Sequence, residues 1–153
     1  MNKTQAVKTF PCYKNNKGKI IFSEENLPPC AAEIERKNVY RLCLNGKINK
    51  EAFDCTYINK KKKKLTIRDD SLSDAGTFST SCCYELKEII KKQAMFTKNN
   101  PKAIIAIGDI EKESGYSCTD REWKTKKNSH IHWWIYLESK PYQHNFKEYK
   151  HEE

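Results

Sequence analysis

No apolar run in this 153-residue chain approaches the ~20 residues that a membrane span requires. The opening stretch, MNKTQAVKTF, has no apolar segment after its lysine. A secretory leader is therefore not expected, and the chain reads as cytoplasmic. The seven cysteines, at 12, 30, 43, 55, 82, 83 and 118, never form a CxxC pair. That argues against a zinc ribbon or a dithiol redox site. In a reducing cytosol most of them read as buried thiols acting as small hydrophobes, with a zinc site assembled from scattered Cys and His as the alternative. No internal repeat, coiled-coil heptad or Gly/Ser linker divides the sequence. The length suits one domain over 1–153 with a modest core.

Charge and aromatic residues are present instead. Charged residues make up 32% and hydrophobic ones 37%, so a thin core is expected; the 11% of aromatics is too much for a disordered chain. The formal charge is +9, from 29 Lys+Arg against 20 Asp+Glu. That balance favours an anionic partner: nucleic acid, a nucleotide or an acidic protein. The abundance of lysine, asparagine and isoleucine is also that of AT-rich genomes, so codon bias explains part of the charge. A small lysine-rich chain of this kind suits a phage, mobile-element or defence gene.

The pattern predicts a mixed order of elements. A strand is expected at Lys19–Phe22, and a short helix from Pro28–Pro29 to Asn38. VYRLCL, 39–44, alternates as a strand and ends in an Asn45–Gly46 turn. Asn49 caps a single turn over KEAF. Another strand is expected from Phe53 to Ile58, running into an exposed lysine loop at 60–64, with a short returning strand at Leu65–Arg68. TFSTS reads as extended. A helix is expected over 82–96, with Ser81 as its N-cap. KAIIAIGDI, 102–110, suits a central strand, GYSCTDREWKTKKN a polar loop, and SHIHWWIYL the last strong strand. The tail at 142–153 is expected to add a short helix. Together these give a single α+β domain around a small, mainly antiparallel sheet with two or three helices.

Three stretches carry candidate chemistry. In SHIHWWIYL, alternation puts Ile131, Trp133, Ile135 and Leu137 on a core face. His130, His132, Trp134 and Tyr136 fall on the other, where rings and hydrogen-bonding groups together suit a binding cleft. Two histidines at i and i+2 hold a metal only if a third ligand arrives from elsewhere. No partner motif is in sight, so no metal is expected, and half-exposed strand histidines are the plain alternative. In VYRLC, Arg41 lies opposite Tyr40 and Leu42 and suits a phosphate or carboxylate, or a surface salt bridge. In GTFSTSCC, Ser79, Thr80 and Ser81 cluster before the expected helix, where hydroxyls either hold an anion or simply cap.

The order of these motifs resembles the ADP-ribosyltransferase-like superfamily: a strand with YR, then STS, then a late strand with a short x-x motif. The resemblance spans about residues 39 to 138. It implies that Arg41 holds the phosphates of NAD, that Ser79–Thr80–Ser81 stiffen the cleft, and that a late-strand glutamate activates transfer. This sequence has His130–Ile131–His132 at that last position. Glu111 and Glu113 spell Glu-x-Glu at the end of the preceding strand, and Glu122 lies in TDREW. The expected catalytic set is His132, Arg41 and Glu113. The expected cofactor-binding set is Arg41, Ser79, Thr80, Ser81, His130, Trp134 and Tyr136, with NAD as cofactor. The competing expectations are a non-catalytic module sequestering a nucleotide or nucleic acid by stacking and phosphate contacts, and a binder of an acidic protein.

Overall fold

Alternating apolar residues build most of the strands. The computed structural model describes residues 7–150; the ends of the chain, 1–6 and 151–153, lie outside it, including the last residues of the expected tail. A two-stranded antiparallel ribbon comes first, β1 (Tyr13–Lys14) and β2 (Ile20–Phe22). β3 (Arg36–Cys43) follows, then α1 (Thr56–Lys62) and α2 (Asp69–Leu72). Next come β4 (Thr80–Cys83), α3 (Leu86–Phe96) and β5 (Ile104–Ile110). The chain continues with β6 (Gly115–Thr119), α4 (Asp120–Trp123), β7 (His130–Ile135), α5 (Pro141–His144) and β8 (Phe146–Glu148). Six strands form one antiparallel sheet in the order β6-β7-β4-β3-β5-β8. The α+β class and the antiparallel sheet expected from the sequence are observed. No helix among the described residues is long and apolar enough to cross a membrane.

The sheet is covered on both faces. One core holds Ile131 and Trp133 with Val39, Phe53, Ile110 and Phe146. A second joins Trp134 and Cys118 to Phe22, Cys55, Tyr57 and Phe78. A third packs Ile89 of α3 on Leu42, Cys83 and Ile105. Trp133 and Trp134 are both fully buried, so adjacent residues of β7 anchor opposite layers, as the two-residue period requires.

Several expected elements differ, and each has a local cause. No helix forms at 29–38. Pro28 accepts from the Ala31 N–H in a single turn, and the chain then extends into β3, where burying Val39, Leu42 and Cys43 wins. Asn38, at φ 55°, sits in a register shift between Arg36 and Val39, a left-handed position that asparagine tolerates. The stretch 53–58 is helical rather than extended. Asn49 caps the KEAF turn through the Ala52 N–H, as expected, and α1 then carries Tyr57 into the second core. Lys60–Lys62 end α1 rather than forming a loop; lysines favour the negative end of a helix, and Lys61–Lys64 remain exposed. No strand forms at 65–68. Cys82 and Cys83 pair with Ile131 and His130 in the sheet, so α3 starts at Leu86 and Ser81 is a strand residue rather than a cap. The expected polar loop at 115–128 contains β6 and α4. Gly115 makes β6 possible: its φ is +152°, and a Cβ there would lie 2.0 Å from the Trp134 carbonyl oxygen.

Candidate metal centre and adjoining cavity

The β6–β7 hairpin sets the position of the decisive side chain. Its register pairs Cys118 with His132 and Thr119 with Ile131, so the next residue, Asp120, arrives level with His130. There a capping box starts α4: Thr119 Oγ1 accepts from the Glu122 N–H, and the Glu122 carboxylate accepts from the Thr119 N–H. Arg36, itself buried, holds Glu122 Oε1 at 3.3 Å and also donates to Ser117 Oγ and Tyr84 Oη. Asp120 is thereby fixed at the sheet rather than left on a mobile loop.

Asp120 faces both histidines of β7. Its Oδ1 lies 2.5 Å from His132 Nε2, and its Oδ2 lies 3.2 Å from His130 Nδ1. Asn128 Nδ2 also donates to Oδ2, at 3.1 Å. The ligand atoms of Asp120, His130 and His132 all lie within 4.8 Å of one another. His132 is buried between the rings of Trp123 and Trp134, at 5.0 and 6.1 Å. His130 Nε2 is buried without a hydrogen-bond partner.

Hydrogen bonding around His132 bears on what this cluster binds. Ser79 Oγ donates to the Gly76 carbonyl at 2.8 Å, the shorter of its two bonds. Its oxygen then accepts from His132 Nδ1, 3.2 Å away. With the proton on Nδ1, Nε2 is left free to act as a ligand; with the proton on Nε2, it donates to Asp120 Oδ1 and Nδ1 is the acceptor. The 2.5 Å separation is that of a hydrogen-bonded pair, and a metal ion ~2.0–2.2 Å from both atoms requires them to move apart. Burial pushes His130 down to about 4, reinforced by His132 beside it. Burial also lowers His132, against the opposing Asp120 bond. Burial acts to raise Asp120, but hydrogen bonds from His132 and Asn128 and the imidazole charges outweigh it and hold the carboxyl at about 2. Two neutral imidazoles and one carboxylate are the deprotonated donors that a divalent cation takes. Ser79 occupies the place of an outer hydrogen-bonding partner that orients a metal-ligating histidine.

The cluster opens onto a cavity of about 540 Å³ between α1, α3 and the sheet. His130 and Asn128 line both the cluster and the cavity, which also receives Arg41, Ser79, Ser81 and Lys92. Arg41 sits where β3 and β4 part; the strands share a single register pair, Tyr40 with Cys83. Its guanidinium bridges the gap by donating to the carbonyls of Ser81 and Ala52 at 2.9 Å and of Asp54 at 3.5 Å. A clamp holds the opposite wall. Ser129 donates to the Glu88 carboxylate, while the Glu85 N–H donates to Ser129 Oγ. This ties the start of α3 to the start of β7.

The expected site residues thus separate. Arg41, Ser79, Ser81 and His130 meet at the cavity, and His132 touches Ser79 just behind it. Thr80 points to the other face, where its Oγ1 donates to the Phe53 carbonyl. Trp134 lies in the second core with its Nε1 on the Ala75 carbonyl, and Tyr136 packs on Tyr116. Neither lines the cavity; the layer of β2, α1 and Phe78 covers what alternation alone leaves open. Glu113 is exposed on a turn and, with Glu111, lines a different depression near α5. Glu122 is committed to the capping box and Arg36. Asp120 was not among the expected residues, although the Thr119-x-x-Glu122 capping signature marks the helix start beside it. The cysteines stay out of the cluster. All seven are free, and burial pushes Cys82 up to about 12 and Cys43 and Cys83 up to about 11, the inert character expected of core thiols.

The chain matches no protein-family model, no curated protein and no solved structure. The chemistry of the site itself therefore carries the functional argument.

Proposed function

We propose that the chain is a divalent-metal-dependent enzyme of phosphoryl chemistry, acting on the phosphodiester or phosphate groups of a nucleic acid or nucleotide. One observation carries this reading: Asp120, His130 and His132 converge at the end of a cavity that also holds Arg41 and Lys92. Three protein ligands of mixed nitrogen and oxygen type leave positions open on a divalent ion. Such an ion polarises a phosphoryl oxygen and activates a bound water. The cationic side chains beside it select an anionic substrate, in keeping with the +9 charge of the chain. Asp120, His130 and His132 would hold the ion, with His130 on the cavity side and Ser79 orienting His132, and the bound ion would supply Lewis-acid activation of phosphate and water.

The test is cleavage of short single-stranded and duplex oligonucleotides with Mn²⁺ or Mg²⁺, against the same mixtures with EDTA. Metal-dependent cleavage that disappears in Asp120→Asn and His132→Gln, with both variants folded, is the expected result. Equal cleavage with EDTA, or wild-type rates in both variants, would remove the reading.

A second reading keeps the dinucleotide. Arg41, Ser79, Ser81 and His130 do share one cavity, which is the arrangement that the ADP-ribosyltransferase resemblance asks for. In that reading NAD occupies the cavity and Asp120 supplies the negative charge for which Glu113 is too distant. Nicotinamide release from NAD, lost in Arg41→Ala, supports this second reading. Its absence alongside phosphodiester cleavage favours the first.

A further inference from the structure

Lys92 has no role in the metal cluster, yet it is the cation best placed to receive a ligand. α3 presents Ile89, Lys92 and Phe96 to the cavity, a spacing of three and four residues that puts them on one helix face. Ile89 is buried at its floor and Phe96 lies exposed at its mouth. Among the described residues Lys92 makes no hydrogen bond or ion pair; its electrostatic neighbours are Arg41, Cys82 and Cys83. The two carboxylates that line the cavity are already engaged, Glu88 by Ser129 and Asp54 by Lys62. Arg41 is bound to carbonyl oxygens alone. Lys92 and Arg41 thus stand side by side with no carboxylate paired to either, and Lys60 and Lys63 line the same cavity. Burial and the adjacent Arg41 both work against the Lys92 charge, a cost that an incoming anion relieves.

Leu42, Leu44, Ile89, Leu65 and Phe96 give the cavity an apolar wall, beside the polar Thr56, Asn59 and Asn128. The volume, about 540 Å³, falls within the roughly 300–1,000 Å³ of ordinary small-ligand sites. We propose that this cavity is a subsite for one nucleoside monophosphate unit, with its phosphate on Lys92 and Arg41 beside His130 and its base against the apolar wall ending at Phe96. The proposal deepens the phosphoryl-chemistry reading by assigning the substrate unit and the residue that seats it. The binding itself does not require the metal.

The experiment is a titration of EDTA-treated protein with adenosine and thymidine 5′-monophosphates and with the matching nucleosides, followed by calorimetry and by the NMR signals of α3. The monophosphates are expected to bind more tightly than the nucleosides. Lys92→Met is expected to weaken monophosphate binding about tenfold or more, the worth of a charge-assisted hydrogen bond, without changing nucleoside binding. Lys92→Arg restores part of the loss. Phe96→Ala is expected to weaken nucleosides and nucleotides alike. The proposal is overturned if millimolar monophosphate leaves the wild-type protein unbound, or if Lys92→Met binds it as tightly as wild type. A parallel Mn²⁺ titration keeps the two readings apart. Metal binding without nucleotide binding sinks this subsite alone, and nucleotide binding without metal binding sinks the metal reading alone.

Discussion

Ser79→Ala is the change that most sharply separates a metal-ligating His132 from one merely hydrogen-bonded to Asp120. The hydroxyl joins the Gly76 carbonyl at 2.8 Å to His132 Nδ1 at 3.2 Å, and it is buried. Removing it costs the metal-free fold about 1–2 kcal/mol, the usual range for lost buried hydrogen bonds. For a chain of this length that corresponds to a fall in Tm of about 2–8 °C. The larger effect falls on metal affinity. Loss of an outer partner that sets the tautomer of a ligating histidine typically costs about 10–100-fold, or roughly 1.4–2.8 kcal/mol. The assay is a Mn²⁺ titration of EDTA-treated wild type and variant by calorimetry, with thermal melts before and after. The expected outcome is a lower metal-free Tm, a smaller gain in Tm on adding Mn²⁺, and a weaker Kd. A variant that melts lower but binds Mn²⁺ as tightly as wild type would refute the part given to Ser79 in orienting His132.

Acid lability follows from the same cluster in metal-free protein. His130 is depressed from 6.5 to about 4, so the unfolded chain takes up a proton before the folded one does. The stability it confers is complete above about pH 6.5 and is lost as the pH falls toward 4, by about 2–3 kcal/mol; urea melts across that window should show the loss, and His130→Gln should flatten it. Trp134→Ala empties a fully buried site and should cost about 3–5 kcal/mol, seen as a large fall in the urea midpoint. Arg41→Met removes the guanidinium that holds β3 and β4 where they part. It should destabilise by about 2–4 kcal/mol and weaken nucleotide binding, and Arg41→Lys should not restore stability because it lacks the planar fork.

Local pattern made the strands and their faces legible. Ile131 and Trp133 on one side of β7, and the apolar strand at Ile104–Ile110, follow from local pattern and need no knowledge of the rest. Trp134 and Tyr136 show where that reasoning stops. Alternation says that they leave the first core, but a second layer brought by β2, α1 and Phe78, from parts of the chain some 50 to 110 residues earlier, covers Trp134, and Tyr136 packs on Tyr116. The same limit applies to Asp120. Its place beside His130 and His132 depends on the register of an antiparallel hairpin whose edge strand, GYSCT, is short and too polar to stand out. Once β6 is paired, Asp120 follows from counting one residue past Thr119. Arg41 was legible as an arginine out of place in a strand, though not as a bridge across diverging strands.

Metal binding by Asp120, His130 and His132 is tested most directly by titration of Mn²⁺ into EDTA-treated protein while the imidazole signals of His130 and His132 are followed by NMR. One equivalent is expected to bind, with selective broadening of both rings, and the binding should be lost in Asp120→Asn and His132→Gln variants that remain folded. No broadening at millimolar Mn²⁺, or wild-type binding in those variants, would contradict it.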